Sequence, residues 1–474
     1  MTIYRNFSSV QADLKTGTIT CLQLVDQYLA RIDENQHLNV FTEVYADEAR
    51  QQAEAVDQKL AAGTAGRLAG MIIGIKDVLS YAGHSVRAGS RILENFTAQF
   101  TATAIQRLLD EDVIIIGRQN CDEFAMGSSN ENSAFGPVRN AADPSRVPGG
   151  SSGGSAVAVQ AGLCLASIGS DTGGSVRQPA AFCGVVGLKP TYGRISRWGL
   201  IAYASSFDCV GPIANNADDA ALLLEIMAGP DEFDSTVSSQ PVTSYTSATL
   251  PDRPLRIAYL RDGVESAGVD QSVRDATQLT INELRAAGHT VEPVDLSLIN
   301  YLLPTYYILT TAEASSNLSR FDGVRYGYRS QGDGTSVMDL LSLYKKSRTE
   351  GFGAEVRRRI LLGTFALSAS YYDAYYTKAQ QVRRLIRQET ERVFEKYDFL
   401  LSPTTPTPAF RLGEKTDDPL QMYLADIFTV QANVVGYPAI SIPNGTDANG
   451  LPIGLQLMAP PFAEGALVAL AKSL

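Results

Sequence analysis

The sequence predicts an α/β protein built on one largely buried β-sheet, and three observations predict it. Short apolar runs such as Met71-Ile72-Ile73-Gly74-Ile75 and Val113-Ile114-Ile115-Ile116 have the unbroken hydrophobicity of strands covered on both faces. Segments with apolar residues at helical spacing lie between them. From Gly117 to Ala204 glycine turns alternate with short apolar segments, the pattern of strands and helices stacked in layers.

Taken in order, Leu22, Val25, Leu29 and Ile32 recur at helical spacing, and a second helical pattern runs from about Ala46 to Leu60. Met71–Lys76 reads as a strand, Ile105–Leu109 as a helix and Val113–Gly117 as a strand. Ala156–Gly162 then reads as helix, Leu163–Ile168 as strand, Val176–Phe182 as helix and Val185–Leu188 as strand. The stretch Asp231–Arg253, rich in Ser, Thr and Pro, reads as a long surface connection. Beyond it come a strand at Leu255–Leu260, a helix at Val273–Ala287 with Gly288 at its C′ position, and a strand at Thr290–Val294. A long helical region spans Ala354–Tyr397, and strands follow at Phe399–Leu401, Ala439–Ile442 and Ile453–Met458. The last residues, Ala466–Leu474, are helical and stop abruptly, which leaves a shortened C-terminus open. The organisation expected is a single domain over 1–474: N-terminal helices to about residue 65, a core over about 66–230 and 254–474, and a helical insertion.

Composition narrows the function. The 474 residues are 45% hydrophobic and 19% charged, as in a globular protein with a sizeable core. A net charge of −11 disfavours extensive direct contact with a nucleic-acid backbone. The five cysteines are odd in number and form no C-x-x-C pair, so reduced thiols are expected, with neither a disulfide frame nor a metal site. No secretory signal pattern opens the chain, and no run approaches the ~20 apolar residues of a membrane span. The expected setting is the cytoplasm, or an organelle in a eukaryote, without membrane association.

Three features carry chemistry. Gly149-Gly150-Ser151-Ser152-Gly153-Gly154-Ser155 and Gly169-Ser170-Asp171-Thr172-Gly173-Gly174-Ser175 are glycine turns each bearing serines, and Lys76 closes an apolar strand upstream. Glycine lets a backbone approach a ligand and aim successive N–H groups into one concavity. The first turn matches G-x-S-x-G, the nucleophile elbow, but the chain's three histidines leave only His289 late in the sequence, in a plain helix-to-strand connection. Ser342-Leu343-Tyr344-Lys345 and Lys15-Thr16-Gly17 match S-x-x-K and K-T-G in the wrong order. Phosphate binding lacks its glycine motifs. A serine nucleophile served by a lysine remains. Taken alone, Lys76 also reads as a strand-end charge reaching water.

Lys76 and the two turns, in this order and spacing, resemble the amidase signature family over essentially the whole chain. The resemblance implies a large mixed β-sheet covered by helices on both faces. It implies Ser175 as nucleophile, Ser151 after a cis peptide as bridging serine, and Lys76 as base. Backbone N–H groups of Thr172, Gly173, Gly174 and Ser175 are the implied oxyanion donors. Cys121–Ser129, Ser315–Gly323 and Met422–Ile427 are similar to the glutaminase branch of that family. That branch implies hydrolysis of glutamine, with ammonia passed to a B subunit in a heterotrimer completed by a C subunit. In the B subunit Glu-tRNA(Gln), or Asp-tRNA(Asn), is amidated, and that subunit is the main tRNA contact. No cofactor is implied on this chain; ATP and magnesium belong to the partner's kinase site. Arg359 and Asp426 are the implied partners of the glutamine carboxylate and ammonium, with Met126 and Ser128 lining the pocket. By itself Arg359 reads as a solvated charge beside Arg357 and Arg358, and Asp426 as an ordinary polar helix position. Asp171 and Arg177 are expected to pair across the second turn, and Cys183 to pack as a buried apolar residue. The competing readings are a stand-alone amidase on small or fatty amides, a non-catalytic scaffold of the same fold, and a free-standing tRNA-binding protein.

Overall fold

The computed structural model describes residues 3–332, 338–416 and 418–474. Eleven strands form one sheet: β1 (Phe41–Val44), β2 (Ile72–Lys76), β3 (Ile114–Gln119), β4 (Ala166–Asp171), β5 (Val186–Lys189), β6 (Cys209–Ala214), β7 (Arg256–Leu260), β8 (Thr290–Val294), β9 (Phe399–Pro403), β10 (Ala439–Thr446) and β11 (Pro452–Met458). Their order across the sheet is β1-β3-β2-β4-β6-β5-β10-β11-β9-β7-β8. β3, β2 and β4 are mutually parallel, as are β9, β7 and β8, and every other neighbouring pair is antiparallel. Every residue of β2, β3, β4 and β6 is buried, so helices cover both faces of the central sheet. Among the described residues, no helix is long and apolar enough to cross a membrane.

The three parallel strands gather the chemistry. Their C-terminal ends lie on one side of the sheet, where crevices of open α/β sheets form. β2 ends in Lys76, β4 in Asp171 just before the second glycine turn, and β3 leads into Cys121–Ser129. β2 needs glycine at 74, because a Cβ there would run into Gln119 Nε2 on β3. The helix Gly153–Gln160 is apolar all round and is buried as a core helix.

Most expected elements are present, with shifted bounds where glycine intervenes. The helix expected from Ala156 begins at Gly153, so the first turn ends inside it, and the strand expected at Leu163–Ile168 runs from Ala166 to Asp171. Ala354–Tyr397 is divided into the helices Ala354–Ala366 and Lys378–Phe394, with a π-helical turn at Asp373–Thr377. Residues 231–253 contain neither helix nor strand. β6 has no clear strand signal in the sequence, because Gly211 and Pro212 break its hydrophobic run. The helix Ile299–Asn317 is likewise masked in the sequence by Pro304 and several Thr and Tyr residues.

The second turn is locked by a buried ion pair between Asp171 and Arg177, the structural role expected of it. Arg177 Nε and Nη2 donate to Asp171 Oδ2 and Oδ1, both at 3.0 Å. Its remaining donors reach the Thr429 carbonyl at 3.0 Å, Asn433 Oδ1 at 2.7 Å and Gln456 Oε1, so all five N–H bonds are used. Asp171 also accepts from the backbone N–H groups of Gly174 at 2.8 Å and Val176 at 3.2 Å. Burial opposes its ionisation, but the charge and hydrogen bonds of Arg177, with Lys189 and Asn433, outweigh that and hold it at about 2. Arg177→Met leaves this carboxylate buried without its partner, and should cost about 3–5 kcal/mol of stability. The urea midpoint of the variant tests this; a change below about 1 kcal/mol contradicts it.

Candidate active site

Lys76 and both glycine turns meet at the ends of β2 and β4. Lys76 is fully buried, and its Nζ lies 2.7 Å from Ser151 Oγ and 3.0 Å from Ser170 Oγ. Burial strips the ammonium of water and lowers its pKa from 10.5 to about 8, against the opposing influence of Cys121, Asp122, Asp171 and Asp208. At pH 7 about one molecule in ten then carries a neutral amine, against about one in several thousand for an ordinary lysine. Lys76 is therefore no strand-end charge in solvent.

The turns are stitched together by backbone. Ser152 N–H donates to the Ser175 carbonyl at 3.1 Å, Ser152 Oγ to the Ser170 carbonyl at 3.2 Å, and Asp122 N–H to the Ser151 carbonyl at 3.2 Å. The Gly150–Ser151 peptide is cis. Gly150 N–H donates to Gln178 Oε1 at 2.8 Å while Gln178 Nε2 donates to the Ser128 carbonyl at 2.8 Å, so one side chain joins the first turn to the Cys121–Ser129 segment. Ser175 is buried, and its hydroxyl makes no hydrogen bond among the described residues. The Lys76–Ser151 contact of the expected relay is thus made, and the Ser151–Ser175 contact is open.

The expected oxyanion donors divide. Gly174 N–H is taken by Asp171 Oδ1. Those of Thr172, Gly173 and Ser175 meet no acceptor among the described residues, leaving three donors on one turn. Gly174 has φ 130°, and a Cβ there would collide with Thr429 Oγ1; a Cβ on Gly173 would collide with Tyr306 Oη. Thr172 Oγ1 donates to Asp208 Oδ1 at 2.7 Å.

Arg359 and Asp426 lie beside this turn, and neither is an ordinary surface residue. Arg359 is 3% exposed; its Nε donates to Glu355 Oε1 at 2.8 Å and its Nη1 to Tyr203 Oη at 2.8 Å. The rings of Tyr203, Tyr307 and Tyr423 surround the guanidinium at 5.4–5.6 Å. Asp426 Oδ2 accepts from Ser128 Oγ at 2.5 Å and from Tyr307 Oη at 3.4 Å. Burial pushes its carboxyl up to about 7 despite the Ser128 hydrogen bond and the Arg359 charge. Thr429, three residues on, donates its hydroxyl to the Gly173 carbonyl at 2.7 Å and so ties Asp426 to the second turn. Met126 is fully buried two residues before Ser128. A cavity of about 150 Å³ opens next to Ser129, Glu355, Arg359, Lys415 and Tyr423.

Sequence reasoning missed several residues that build this site. The tyrosine cage and Glu355 carry no motif; the i, i+4 spacing of Glu355 and Arg359 was the one available signal. Nothing in the sequence of the second turn marks Ser170 as the neighbour of Lys76 that it is. Asp208 also receives the backbone N–H of Tyr203 at 3.0 Å, and burial raises its carboxyl to about 7. Cys183 is buried, its thiol donating to the Pro148 carbonyl at 3.4 Å, and all five cysteines are free. Among the described residues, no cluster of three His, Cys, Asp or Glu is arranged for a metal.

A fold with a serine in a glycine-rich turn and a buried lysine behind it defines a class of amide hydrolases. The profile of the Amidase family matches residues 23–468, and the chain belongs to that family. It is 51% identical over 474 residues to the A subunit of glutamyl-tRNA(Gln) amidotransferase from Chlorobium limicola, covering 99% of this chain and 98% of that one. The crystal structure of the corresponding A subunit from Thermotoga maritima matches with a TM-score of 0.77 and 38% identity, covering 96% of this chain and 93% of that one. The peptide amidase of Stenotrophomonas maltophilia gives 0.81 with 30% identity, covering 98% and 94%. Backbone shape is therefore shared across amidases of different substrates, and identity separates them.

A serine-directed fluorophosphonate should label Ser175, at a rate that climbs with pH through about 8 as Lys76 loses its proton. Lys76→Met should label slowly at every pH. A rate that is flat from pH 6 to 9 would show that the lysine does not act as base.

Proposed function

We propose that the chain is the glutaminase subunit of a tRNA-dependent amidotransferase, with Ser175 as nucleophile. The observation that carries the choice of substrate is the buried Arg359 and Asp426, bridged by Tyr307 on one wall of the site. A cation and a carboxylate held apart suit a zwitterionic amino acid. A fatty chain would bring no counter-ion to Asp426, whose carboxyl is in contact, among the described residues, only with the hydroxyls of Ser128 and Tyr307, which argues against a fatty-amide hydrolase.

In this reading Arg359 takes the α-carboxylate of glutamine and Asp426 its α-ammonium, with Ser128 and Met126 shaping the pocket. Neutral Lys76 accepts the Ser151 proton as Ser151 accepts that of Ser175, and Ser175 Oγ attacks the side-chain carbonyl carbon. The N–H groups of Thr172, Gly173 and Ser175 stabilise the oxyanion, typically ~10²–10³ in rate per donor. The carbon–nitrogen bond then breaks as the proton returns through Ser151 to nitrogen, and ammonia leaves behind a glutamyl-Ser175 ester. Water, deprotonated along the same relay, hydrolyses the ester to glutamate and restores the serine. The 2.7 Å Lys76–Ser151 contact supports this relay. Ammonia passes to a B subunit, which holds ATP, magnesium and tRNA and makes Gln-tRNA(Gln), or Asn-tRNA(Asn); a C subunit completes the heterotrimer. The complex works in the cytoplasm. The acidic balance of this chain supports leaving the tRNA to its partner.

In the assembled amidotransferase, Ser175→Ala should lower ammonia release from glutamine by about 10³-fold or more while the complex still forms. Lys76→Arg should lose a similar factor, because a guanidinium stays protonated. Glutamine turnover retained by either variant would refute the assignment.

A further inference from the structure

The segment Cys121–Ser129 holds Glu123, a buried carboxylate that the reaction does not use. Glu123 is 2% exposed. Both of its oxygens accept the Gly353 N–H, Oε2 at 2.8 Å and Oε1 at 3.1 Å, and Oε1 also accepts the Ser90 hydroxyl. Gly353 is the N-cap of the helix Ala354–Ala366 and has no side chain with which to cap it. The contact requires glycine: a Cβ on residue 353 would collide with Glu123 Oε2. Phe124 packs edge-on against Phe352 at 5.6 Å, and Ser90, itself bound to Glu123, lies with its Oγ 3.3 Å from the Gly351 carbonyl, so Glu123, Phe124 and Ser90 together grip the three residues leading into this helix.

That helix delivers Glu355 and, one turn later, Arg359. Glu355 Oε1 receives Arg359 Nε at 2.8 Å and Tyr423 Oη at 3.0 Å. A displacement of the helix start therefore moves both the guanidinium and the carboxylate that aims it. Five residues after Glu123, the same segment supplies Ser128 to Asp426. One stretch of chain thus touches the supports of both charged groups.

We propose that Glu123 is a positioning residue that sets the place of Arg359 for the α-carboxylate of the substrate amino acid by holding the N-terminus of helix Ala354–Ala366. The proposal rests on the reading of Arg359 as the carboxylate partner. Glu123 neither meets the substrate nor shares the relay, so its removal should be felt in binding and not in the chemical step.

The test uses the assembled amidotransferase with Glu123→Ala, Glu123→Gln, Arg359→Lys and the double variant Glu123→Ala/Arg359→Lys. Glu123→Ala should raise KM for glutamine by about tenfold with kcat within about twofold, and leave fluorophosphonate labelling of Ser175 unchanged. Glu123→Gln should restore most of the affinity, since its amide oxygen still accepts the Gly353 N–H. In the double variant KM should match that of Arg359→Lys alone, as expected when one residue acts through the other. An unchanged KM in Glu123→Ala, a parallel fall in kcat and labelling, failure of Gln to rescue, or additive losses in the double variant would each overturn the proposal. An unchanged KM in Arg359→Lys would instead overturn the reading of Arg359, an outcome distinct from the others.

Discussion

The site depends on the buried pair Asp171–Arg177. Asp171 ends β4, and Arg177 opens the helix Arg177–Cys183, so the pair spans the turn that carries Ser175. Taking two charges out of water is costly unless every polar atom is satisfied. Here the guanidinium has a partner for each N–H, and the carboxylate gathers the backbone of Gly174 and Val176 as well. Gly174 N–H is consumed in holding the turn, while those of Thr172, Gly173 and Ser175 meet no acceptor among the described residues. The contacts of Arg177 with Thr429 and Asn433 extend the constraint to the segment that carries Asp426. One ion pair therefore ties the geometry of the serine turn to the segment that carries Asp426.

Lys76 shows the complementary use of burial. Asp171 is buried with its counter-ion in direct contact and stays charged; Lys76 is buried against serine hydroxyls, with carboxylates acting only from a distance. Its charged form is the one penalised. In the same low-dielectric surroundings a direct counter-ion keeps one group an anion, while burial without one brings the other's pKa down to about 8. Membership of the amidase family accounts for the shared backbone. These local electrostatics give it a reaction.

Much of the sheet and the reacting groups was legible because their signals are local. Glycine density marks the two turns, and unbroken apolar runs mark β2 and β3. β6 carries no such signal, because Gly211 and Pro212 interrupt its run; pairing with β4 and β5 makes it a strand. Arg359 sits in a run of three arginines that reads as a solvated face. Its burial depends on tyrosines 156 and 52 residues earlier and 64 later in the chain, at positions 203, 307 and 423. The division of the oxyanion donors was illegible for the same reason: hydrogen bonding within the turn, not residue type, decides which N–H is free. Glu123 gave no sign of its tie to Gly353, a contact across 230 residues.

The central claim is that burial, by penalising the charged form, turns Lys76 into a base near neutral pH. It is tested most directly by carbon NMR of protein labelled at lysine Cε, with the Lys76 signal assigned by its loss in Lys76→Met. The account gives a titration midpoint at about 8, with the amine neutral above it. A midpoint close to the ordinary 10.5 would contradict the account, because the site would then hold no neutral amine to accept the serine proton.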